Sequence, residues 1–241
     1  FDGNNHVISN MTVNYSVSSY ESANGGLFGY VQNATIENLG MVGANVNVVA
    51  SDRASYAAAG AIAGYILYTE IKNCYNSGDG NITASCTTPH YAAIAGGIVG
   101  AAENSTASNC FNTTPVSAYS GPNSYNSYAG GISGGDQWSF EIENCYNTGE
   151  IYAYTDSSDF CAYSGGITGF VGFGDSSSLK YCYSLSPITA DSEYEGNAFS
   201  NPKLSSFLKE QNIECVEVIG VDGGGCVSLT ALGALKEGYK V

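Results

Sequence analysis

Hydrophobic and polar residues alternate along this 241-residue chain in short runs, and clusters of Gly, Asn and Ser separate the runs. In Asn45-Val46-Asn47-Val48 and in Asn81-Ile82-Thr83-Ala84, for example, every second residue is apolar. A period of two places alternate side chains on opposite faces of a β-strand, and the repeated part of the chain has no apolar stripe of helical period and length. The pattern predicts a chain built mainly from short strands.

These runs recur at a fixed interval. A glycine-hydrophobic-glycine phrase appears five times, and its closing glycines are spaced 35, 36, 34 and 35 residues apart. Those glycines are Gly29, Gly64, Gly100, Gly134 and Gly169. A second marker, Ile-x-Asn-Cys or a close variant, follows each phrase, and its fourth positions are spaced 35, 36, 35 and 37 residues apart. Those positions are Leu39, Cys74, Cys110, Cys145 and Cys182. Two markers with one period indicate tandem repeats.

Three short period-two segments in each repeat predict a coil with three sides. Stacked coils pair each strand with its copies above and below, about 4.8 Å apart. We therefore expect an all-β fold, a right-handed parallel β-helix (β-solenoid) of about five three-sided coils over residues 1–190. Residues 1–13 match the second and third sides of a preceding coil. Residues 191–241 lose the repeat and are predicted to form a small C-terminal cap or non-repeat extension, with a short helix over 203–210.

Asparagine occupies one position of the second marker in four repeats. These residues are Asn38, Asn73, Asn109 and Asn144. Asparagine tolerates the left-handed backbone that a strand needs at a corner, and stacked asparagines can hydrogen-bond along a rod. We interpret the four as a structural corner ladder and not as ligands.

The next position of the same marker carries four of the eight cysteines. Because Leu39 replaces cysteine there in the first repeat, the position is predicted to face the core. In-register Cβ atoms on stacked strands lie nearly 5 Å apart, whereas a disulfide requires about 3.8 Å. We therefore expect a ladder of buried free thiols.

The other four cysteines lie outside this ladder. Cys86 and Cys161 fall in predicted loops that close two coils, and Cys215 and Cys226 flank a glycine-rich turn. The last two are candidates for a disulfide, and whether they are bridged is left open. A zinc site is disfavoured because no CxxC pair occurs and the two histidines belong to different coils, so no metal or cofactor is predicted.

The charge narrows the choice of partners. Seven basic and 22 acidic residues give a formal net charge of −15, which repels a phosphate backbone, so nucleic acid is not expected as a partner. No run approaches the roughly 18 apolar residues of a membrane span, and no membrane insertion is predicted. A start at Phe1 without a leader sequence is typical of part of a larger chain.

A polysaccharide-cleaving β-helix would need a specific set of charged residues. A lyase needs a base beside stabilising cations, yet Arg53 is the only arginine and the lysines are scattered. A hydrolase needs two carboxylates at a fixed separation. Glu141 and Glu143 lie on one strand and would both point outward, while Asp156 and Asp159 lie in a loop. We predict no catalytic residue, and calcium binding by acidic loops is left open.

An aromatic residue follows each ladder cysteine. These residues are Tyr75, Phe111, Tyr146 and Tyr183. If the cysteine faces inward, alternation sends the aromatic ring outward. A stacked exterior column could bind sugar rings or a protein partner through flat apolar faces, or it could pack on itself. The four rings are the candidate ligand or partner surface.

The phrase Gly26-Leu27-Phe28-Gly29 and its copies, each followed by an Ile-x-Asn-Cys-Tyr-Asn type of segment, resemble the GLUG-motif repeats of bacterial extracellular proteins. The resemblance covers roughly residues 1–190, and the second copy departs from the motif with Ala61 for the first glycine. It implies a secreted or cell-surface protein of adhesin-like type. Similar repeats are also attached to immunoglobulin-cleaving metallopeptidases, whose His-Glu-x-x-His motif is absent from this sequence.

Three hypotheses follow. The first is a non-enzymatic binding or structural module, adhesin-like, that recognises a glycan or a host protein. The second is a carbohydrate-active β-helix enzyme, either a lyase or a hydrolase. The third is an accessory domain of a larger secreted peptidase. Stacking alone explains nearly every recurring residue, so the repeats predict a scaffold and leave its ligand and oligomeric state open.

Overall fold

The structure, a computed structural model, describes residues 1–157, 160–172, 177–192, 208–211, 213 and 234–240. The chain divides into two compact units, Phe1–Glu193 and Tyr194–Val241. The first unit contains 23 strands within the described residues. They are β1 (Asp2–Ser9), β2 (Thr12–Val17), β3 (Ala23–Gly25), β4 (Phe28–Gln32), β5 (Thr35–Val42), β6 (Asn45–Ala50), β7 (Ala57–Gly60), β8 (Ala63–Leu67), β9 (Glu70–Lys72), β10 (Tyr75–Ser77), β11 (Asn81–Cys86), β12 (Ala93–Gly96), β13 (Val99–Ser108), β14 (Phe111–Asn112), β15 (Val116–Ser120), β16 (Ser127–Gly130), β17 (Ser133–Glu143), β18 (Tyr146–Asn147), β19 (Ile151–Thr155), β20 (Ala162–Gly165), β21 (Ser178–Lys180), β22 (Tyr183–Ser184) and β23 (Ile188–Ser192).

The strands stack into three sheets, which confirms the predicted β-solenoid of about five turns. A five-stranded sheet has the order β20-β16-β12-β7-β3, and a six-stranded sheet has the order β2-β6-β11-β15-β19-β23. The remaining strands form a twelve-stranded sheet. All pairs between named strands are parallel, and the register joins equivalent repeat positions, as in Val46 with Ile82 and Val48 with Ala84. The lead-in strands β1 and β2 pair with β5 and β6, as expected for two sides of a preceding coil.

Two corners bend the twelve-stranded sheet and divide a coil more finely than the sequence predicted. The second coil, for example, contains five strand segments, β7 to β11, instead of three. The residues at the corners have φ between 41° and 55°. One corner consists of Asn33, Tyr68, Asn104 and Ser139, and the other of Asn38, Asn73, Asn109, Asn144 and Tyr181. At six of these nine positions the left-handed residue lies between two short strands, whereas Asn38, Asn104 and Ser139 lie within the continuous strands β5, β13 and β17.

The second of these corners is the predicted asparagine ladder. Asn73 Nδ2 donates to Asn38 Oδ1 at 3.0 Å, and Asn109 Nδ2 donates to Asn73 Oδ1 at 3.1 Å. Asn38 Nδ2 donates in turn to Asp2 Oδ1 at 3.0 Å. The ladder lies on the exposed surface, so its role is to hold the corner conformation in register.

The predicted thiol ladder is also present. Cys74, Cys110 and Cys145 are free and 1% exposed, Leu39 is 2% exposed, and Cys182 is free and half-buried. Burial raises the pKa of the Cys74 thiol to about 11, so this thiol stays protonated at neutral pH. The ladder therefore serves as part of the apolar core.

The prediction for the other cysteines needs one correction. Cys86 does not lie in a loop: it ends strand β11 and is fully buried, because its side chain continues the inward alternation of that strand. Cys161 lies just before β20 and is half-buried and free. Cys215 and Cys226 fall outside the described residues, as does most of the predicted helix.

A second asparagine ladder runs inside the rod and was not predicted. Asn76, Asn112 and Asn147 follow the ladder cysteines by two positions, and all three are 0% exposed. Asn76 Nδ2 donates to Asn112 Oδ1 at 3.0 Å, and Asn112 Nδ2 donates to Asn147 Oδ1 at 2.9 Å. Asn112 also donates to the Thr114 carbonyl at 2.7 Å and accepts from the Thr114 amide at 3.2 Å. This row satisfies buried backbone groups where the chain turns.

The first glycine of the repeated phrase makes room for this inner ladder. A Cβ atom on Gly97 would lie 2.3 Å from Asn112 Cγ, and one on Gly131 would lie 2.4 Å from Asn147 Cγ. Such distances are steric overlaps, so these two glycines are required by close approach. In these two coils, the glycine phrase therefore lies directly against the asparagine two positions after the ladder cysteine.

The described part of the second unit contains helical residues 208–210 and 234–236. Lys209 Nζ lies 2.8 Å from Glu237 Oε2, and Tyr239 is buried against Ala234. Across the described residues, we find no helix that is long and apolar enough to cross a membrane.

Candidate ligand-binding groove

The predicted aromatic column exists and runs along the outside of the rod. Tyr75 and Phe111 have ring centroids 4.9 Å apart with an interplanar angle of 1°, and Phe111 and Tyr146 are 4.9 Å apart at 5°. Tyr146 and Tyr183 follow at 5.3 Å and 6°. The parallel register of β10, β14, β18 and β22 stacks equivalent residues face to face, which produces this geometry.

The stacking covers the ring faces that a sugar would need. Phe111 and Tyr146 each have a neighbouring ring on both faces. Tyr75 packs on Phe111 and on the backbone of Gly40, where an added Cβ would lie 2.4 Å from Tyr75 Cζ. Tyr183, at the end of the column, is 53% exposed. The column thus presents mainly ring edges, and its binding of a ligand stays a prediction.

A second aromatic surface lies where the five-stranded sheet meets the twelve-stranded sheet, outside the corner formed by the glycine phrase. Two rows of outward side chains face each other there. The first row follows β3, β7, β12, β16 and β20 and consists of Asn24, Ala58, Ile94, Tyr128 and Tyr163. The second row follows β4, β8, β13 and β17 and consists of Tyr30, Tyr65, Ala101 and Gly135.

A groove opens because the side chains of the second row become small in the middle of the row. Tyr65 closes one end with its ring 6.1 Å from that of Tyr56. The next two positions, Ala101 and Gly135, carry almost no side chain, and Phe170 fills the far end with its ring 5.0 Å from that of Tyr128. The resulting cavity has a volume of about 660 Å³. This volume falls within the range of roughly 300–1,000 Å³ that ligand pockets occupy.

Loops that close neighbouring coils supply the rim of the groove. Tyr91 and Tyr125 are each 42% exposed, and the Tyr125 amide donates to the Tyr91 carbonyl at 2.8 Å. The His90 imidazole meets the Tyr125 ring edge-on at 5.7 Å, and Phe160 packs against Tyr125 at 4.6 Å. The stacked loops hold the rim rings at an angle to one another and leave part of their surface open.

The groove also contains a few fixed polar groups. At the closed end, behind the lining residue Tyr56, Tyr65 Oη donates to Glu103 Oε2 at 2.6 Å, and neither of these two residues lines the groove itself. Asn126 Nδ2 donates to Tyr128 Oη at 2.6 Å, and Asn126 Oδ1 accepts from the Cys161 amide at 2.9 Å. Burial raises the pKa of Tyr65 and of Tyr128, so both phenols are neutral hydrogen-bonding groups at physiological pH.

The charged residues considered for catalysis lie elsewhere. Glu141 and Glu143 are both exposed on β17, on either side of the buried Ile142, as the alternation predicted. The Asp156 carboxylate accepts a short hydrogen bond from Tyr119, and Asp159 lies outside the described residues. Within the described ranges, no three His, Cys, Asp or Glu side chains are grouped closely enough to hold a metal ion.

Sequence reasoning missed the groove for a definable reason. It relied on residues that recur at the same position in every repeat, whereas the groove depends on a position whose residue changes between repeats. At that position Tyr65 is followed by Ala101 in the next coil and by Gly135 in the coil after it. The sequence did contain a usable signal at the position that directly follows each glycine phrase. There the residue just after the closing glycine changes from tyrosine to alanine to glycine.

Comparison with known proteins identifies the fold and no family. No protein-family model and no curated protein matches the sequence. Among solved structures, a protein described as a putative immunoglobulin A1 protease from Bacteroides ovatus is similar, with a TM-score of 0.52 and 20% sequence identity. The match covers 91% of this chain and 74% of that chain. At this identity the similarity shows a shared fold alone.

Proposed function

We propose that this chain is a non-enzymatic, adhesin-like binding module of a secreted or cell-surface bacterial protein, and that it holds a glycan in the aromatic groove. The groove carries the proposal because it combines open aromatic surface with fixed polar groups in a cavity of about 660 Å³. Flat aromatic faces bind the apolar faces of sugar rings, and a small number of hydroxyl and amide groups set the orientation.

The balance of groups in the groove favours binding over cleavage. The described residues that line it include tyrosines, Phe170, Asn126 and His90, and none of them is Asp, Glu, Lys or Arg. Glycoside hydrolysis requires a pair of carboxylates across the scissile bond, and a lyase requires a base beside cations. The carbohydrate-active enzyme therefore ranks below the binding module.

Secretion and the adhesin-like role rest on the resemblance of the repeats to GLUG-motif proteins. An accessory domain of a larger secreted peptidase is the second candidate, and the fold similarity to the protein described as an immunoglobulin A1 protease favours it. The similar region covers 74% of that solved chain. A non-catalytic module of this kind would position a larger protein on the glycan that it binds.

A glycan array probed with the 241-residue chain tests the proposal directly. We expect selective binding, with no release of reducing ends or unsaturated products from any bound polysaccharide. A double variant, Tyr91→Ala with Tyr125→Ala, should lose at least about tenfold in affinity because it removes two rim rings. Tyr20→Ala is the matched control, since Tyr20 is 78% exposed and lies outside the groove. An array without selective binding would refute the glycan proposal, and product release would revive the enzyme.

A further inference from the structure

The side-chain amide of Asn126 can have only one orientation. The Cys161 backbone N–H donates to it at 2.9 Å, and an amide nitrogen cannot accept a hydrogen bond. The oxygen must therefore face Cys161, which places Nδ2 toward Tyr128 Oη at 2.6 Å. Because Nδ2 donates, the phenol oxygen of Tyr128 accepts in this contact.

The hydroxyl hydrogen of Tyr128 is consequently left for another acceptor. Among the described residues, we find no group that accepts a hydrogen bond from it. The Tyr128 ring is held between Tyr163, at 5.4 Å, and Phe170, at 5.0 Å. Tyr128 and Asn126 both line the groove, so the free hydrogen is available to an acceptor oxygen of a bound ligand.

The surface next to this donor is apolar and small. In the neighbouring coil, the register places Ile94 beside Tyr128, and Ala101 and Gly135 lie in the opposite row. Ile94 is 8% exposed and Ala101 is 1% exposed, so they form the floor of the groove. A carbonyl oxygen beside a methyl group fits a donor beside such a floor, and the acetamido group of a sugar combines the two.

The charges point to the same neutral group. The chain has a formal net charge of −15, which disfavours a uronate, a sialylated sugar or a phosphate. A free amino sugar would need a carboxylate, and none of the described residues that line the groove is Asp or Glu. An acetamido group has no formal charge and needs neither partner.

We propose that the groove selects glycans that carry N-acetylated amino sugars. Tyr128 donates its hydroxyl hydrogen to the acetamido carbonyl, the floor at Ile94 and Ala101 receives the methyl group, and Asn126 is the positioning residue that directs the Tyr128 hydrogen into the groove. This inference rests on the proposed glycan-binding function and adds the class of sugar and the residue that reads it.

The first test uses glycans printed in matched sets of the gluco, galacto and manno series. Each set contains the 2-acetamido sugar, the 2-amino sugar and the 2-hydroxy sugar, and the members are otherwise identical. We expect the intact chain to prefer one acetamido sugar over its two partners by at least about tenfold. Equal binding within every set would overturn the inference and leave glycan binding standing, whereas no binding to any set would refute both.

The second test uses Tyr128→Phe and Asn126→Asp. The phenylalanine removes the donor, and the aspartate offers Tyr128 a carboxylate oxygen that draws the hydrogen away from the ligand. Each variant should bind the acetamido sugar about tenfold more weakly and lose clearly less affinity for the 2-hydroxy sugar, with the melting temperature unchanged. Asn126→Asp should have no further effect on the Tyr128→Phe background, because both changes act through one hydrogen bond.

Two results would overturn this assignment. If Tyr128→Phe weakened both sugars equally, Tyr128 would contribute only ring surface. If Asn126→Asp weakened binding equally with and without the Tyr128 hydroxyl, the new charge and not the hydrogen bond would be responsible, and the positioning role of Asn126 would be wrong.

Discussion

The aromatic column and the aromatic groove use similar side chains on the outside of the same rod, with opposite results. In the column, Tyr75, Phe111, Tyr146 and Tyr183 occupy one repeat position, so parallel register stacks them at 4.9 to 5.3 Å. In the groove, the row that begins with Tyr30 and Tyr65 continues with Ala101 and Gly135. Repetition covers aromatic faces, and a departure from repetition leaves them open.

The physical reason lies in the spacing of the coils. Strands pair about 4.8 Å apart, close to the separation at which aromatic rings stack. A ring that recurs in every coil therefore has its faces covered by the equivalent rings of the neighbouring coils, and it stabilises the scaffold. A ligand can reach aromatic faces only where the stack of equivalent rings is interrupted. Positions that carry the same residue in every repeat should therefore determine stability, and positions whose residue differs between repeats should determine binding.

The largest effect is expected from breaking a repeated position inside the rod. Asn112→Ala removes a side chain that is 0% exposed and hydrogen-bonds to Asn76, Asn147 and Thr114. Several buried groups lose their partners at about 1–3 kcal/mol each, so the free energy of unfolding should fall by roughly 3–5 kcal/mol. Urea denaturation measures this loss. Asn109→Gly, which removes an exposed ladder amide and keeps the left-handed backbone, is the control and should cost less than about 1 kcal/mol.

The next effect is expected from restoring repetition in the groove. Ala101→Tyr extends the Tyr30 and Tyr65 row by one ring, which should fill the groove and reduce glycan affinity by roughly 100-fold, or about 2.7 kcal/mol. Titration calorimetry would measure it. Ser85→Tyr is the matched control because it adds a ring in register with Tyr119, in the six-stranded sheet and outside the groove. Unchanged affinity in Ala101→Tyr would place the ligand elsewhere.

A smaller effect is expected from opening the column. Phe111→Ala removes a half-buried ring with a neighbour on both faces, so the free energy of unfolding should decrease by about 2 kcal/mol. Tyr183→Ala, at the exposed end, should cost clearly less. Neither change should alter glycan affinity, which the same calorimetric titration checks. Weaker binding in Phe111→Ala would instead support the column as the ligand surface that the sequence predicted.

The smallest effect is expected in the reactivity of the thiols, which reports on both the aromatic column and the groove. Burial raises the pKa of Cys74 to about 11, so little thiolate forms at pH 8 and alkylation in the folded protein should be slow. Among the six cysteines that the structure describes, the half-buried Cys161 and Cys182 should react first, as read by site-resolved mass spectrometry. Because the Cys161 amide is bonded to Asn126 beside the groove, a bound glycan should slow labelling of Cys161 a few-fold and leave Cys182 unchanged. Equal protection of both would contradict the groove as the binding site.

The sequence was a reliable guide at most of the positions where a side chain meets its own copy. The period, the corner asparagines and the buried thiols could all be predicted, because parallel register turns recurrence in the chain into contact in space. The inner ladder of Asn76, Asn112 and Asn147 recurs just as regularly, but its burial follows from glycines such as Gly97 that belong to the other marker. That contact joins residues about 15 apart on different sides of a coil, and the period alone does not reveal it.

The chain by itself therefore determined the solenoid, its coil length and its core, since these depend on periodic spacing and alternation. Only the tertiary structure decided where a ligand could bind. The groove requires two rows from different strands to face each other at a corner, with Tyr128 on one side and the missing side chain of Gly135 on the other. The angle at that corner sets their separation. That angle depends on how all sides of the coil close into one turn, so it cannot be read from any single row of equivalent residues.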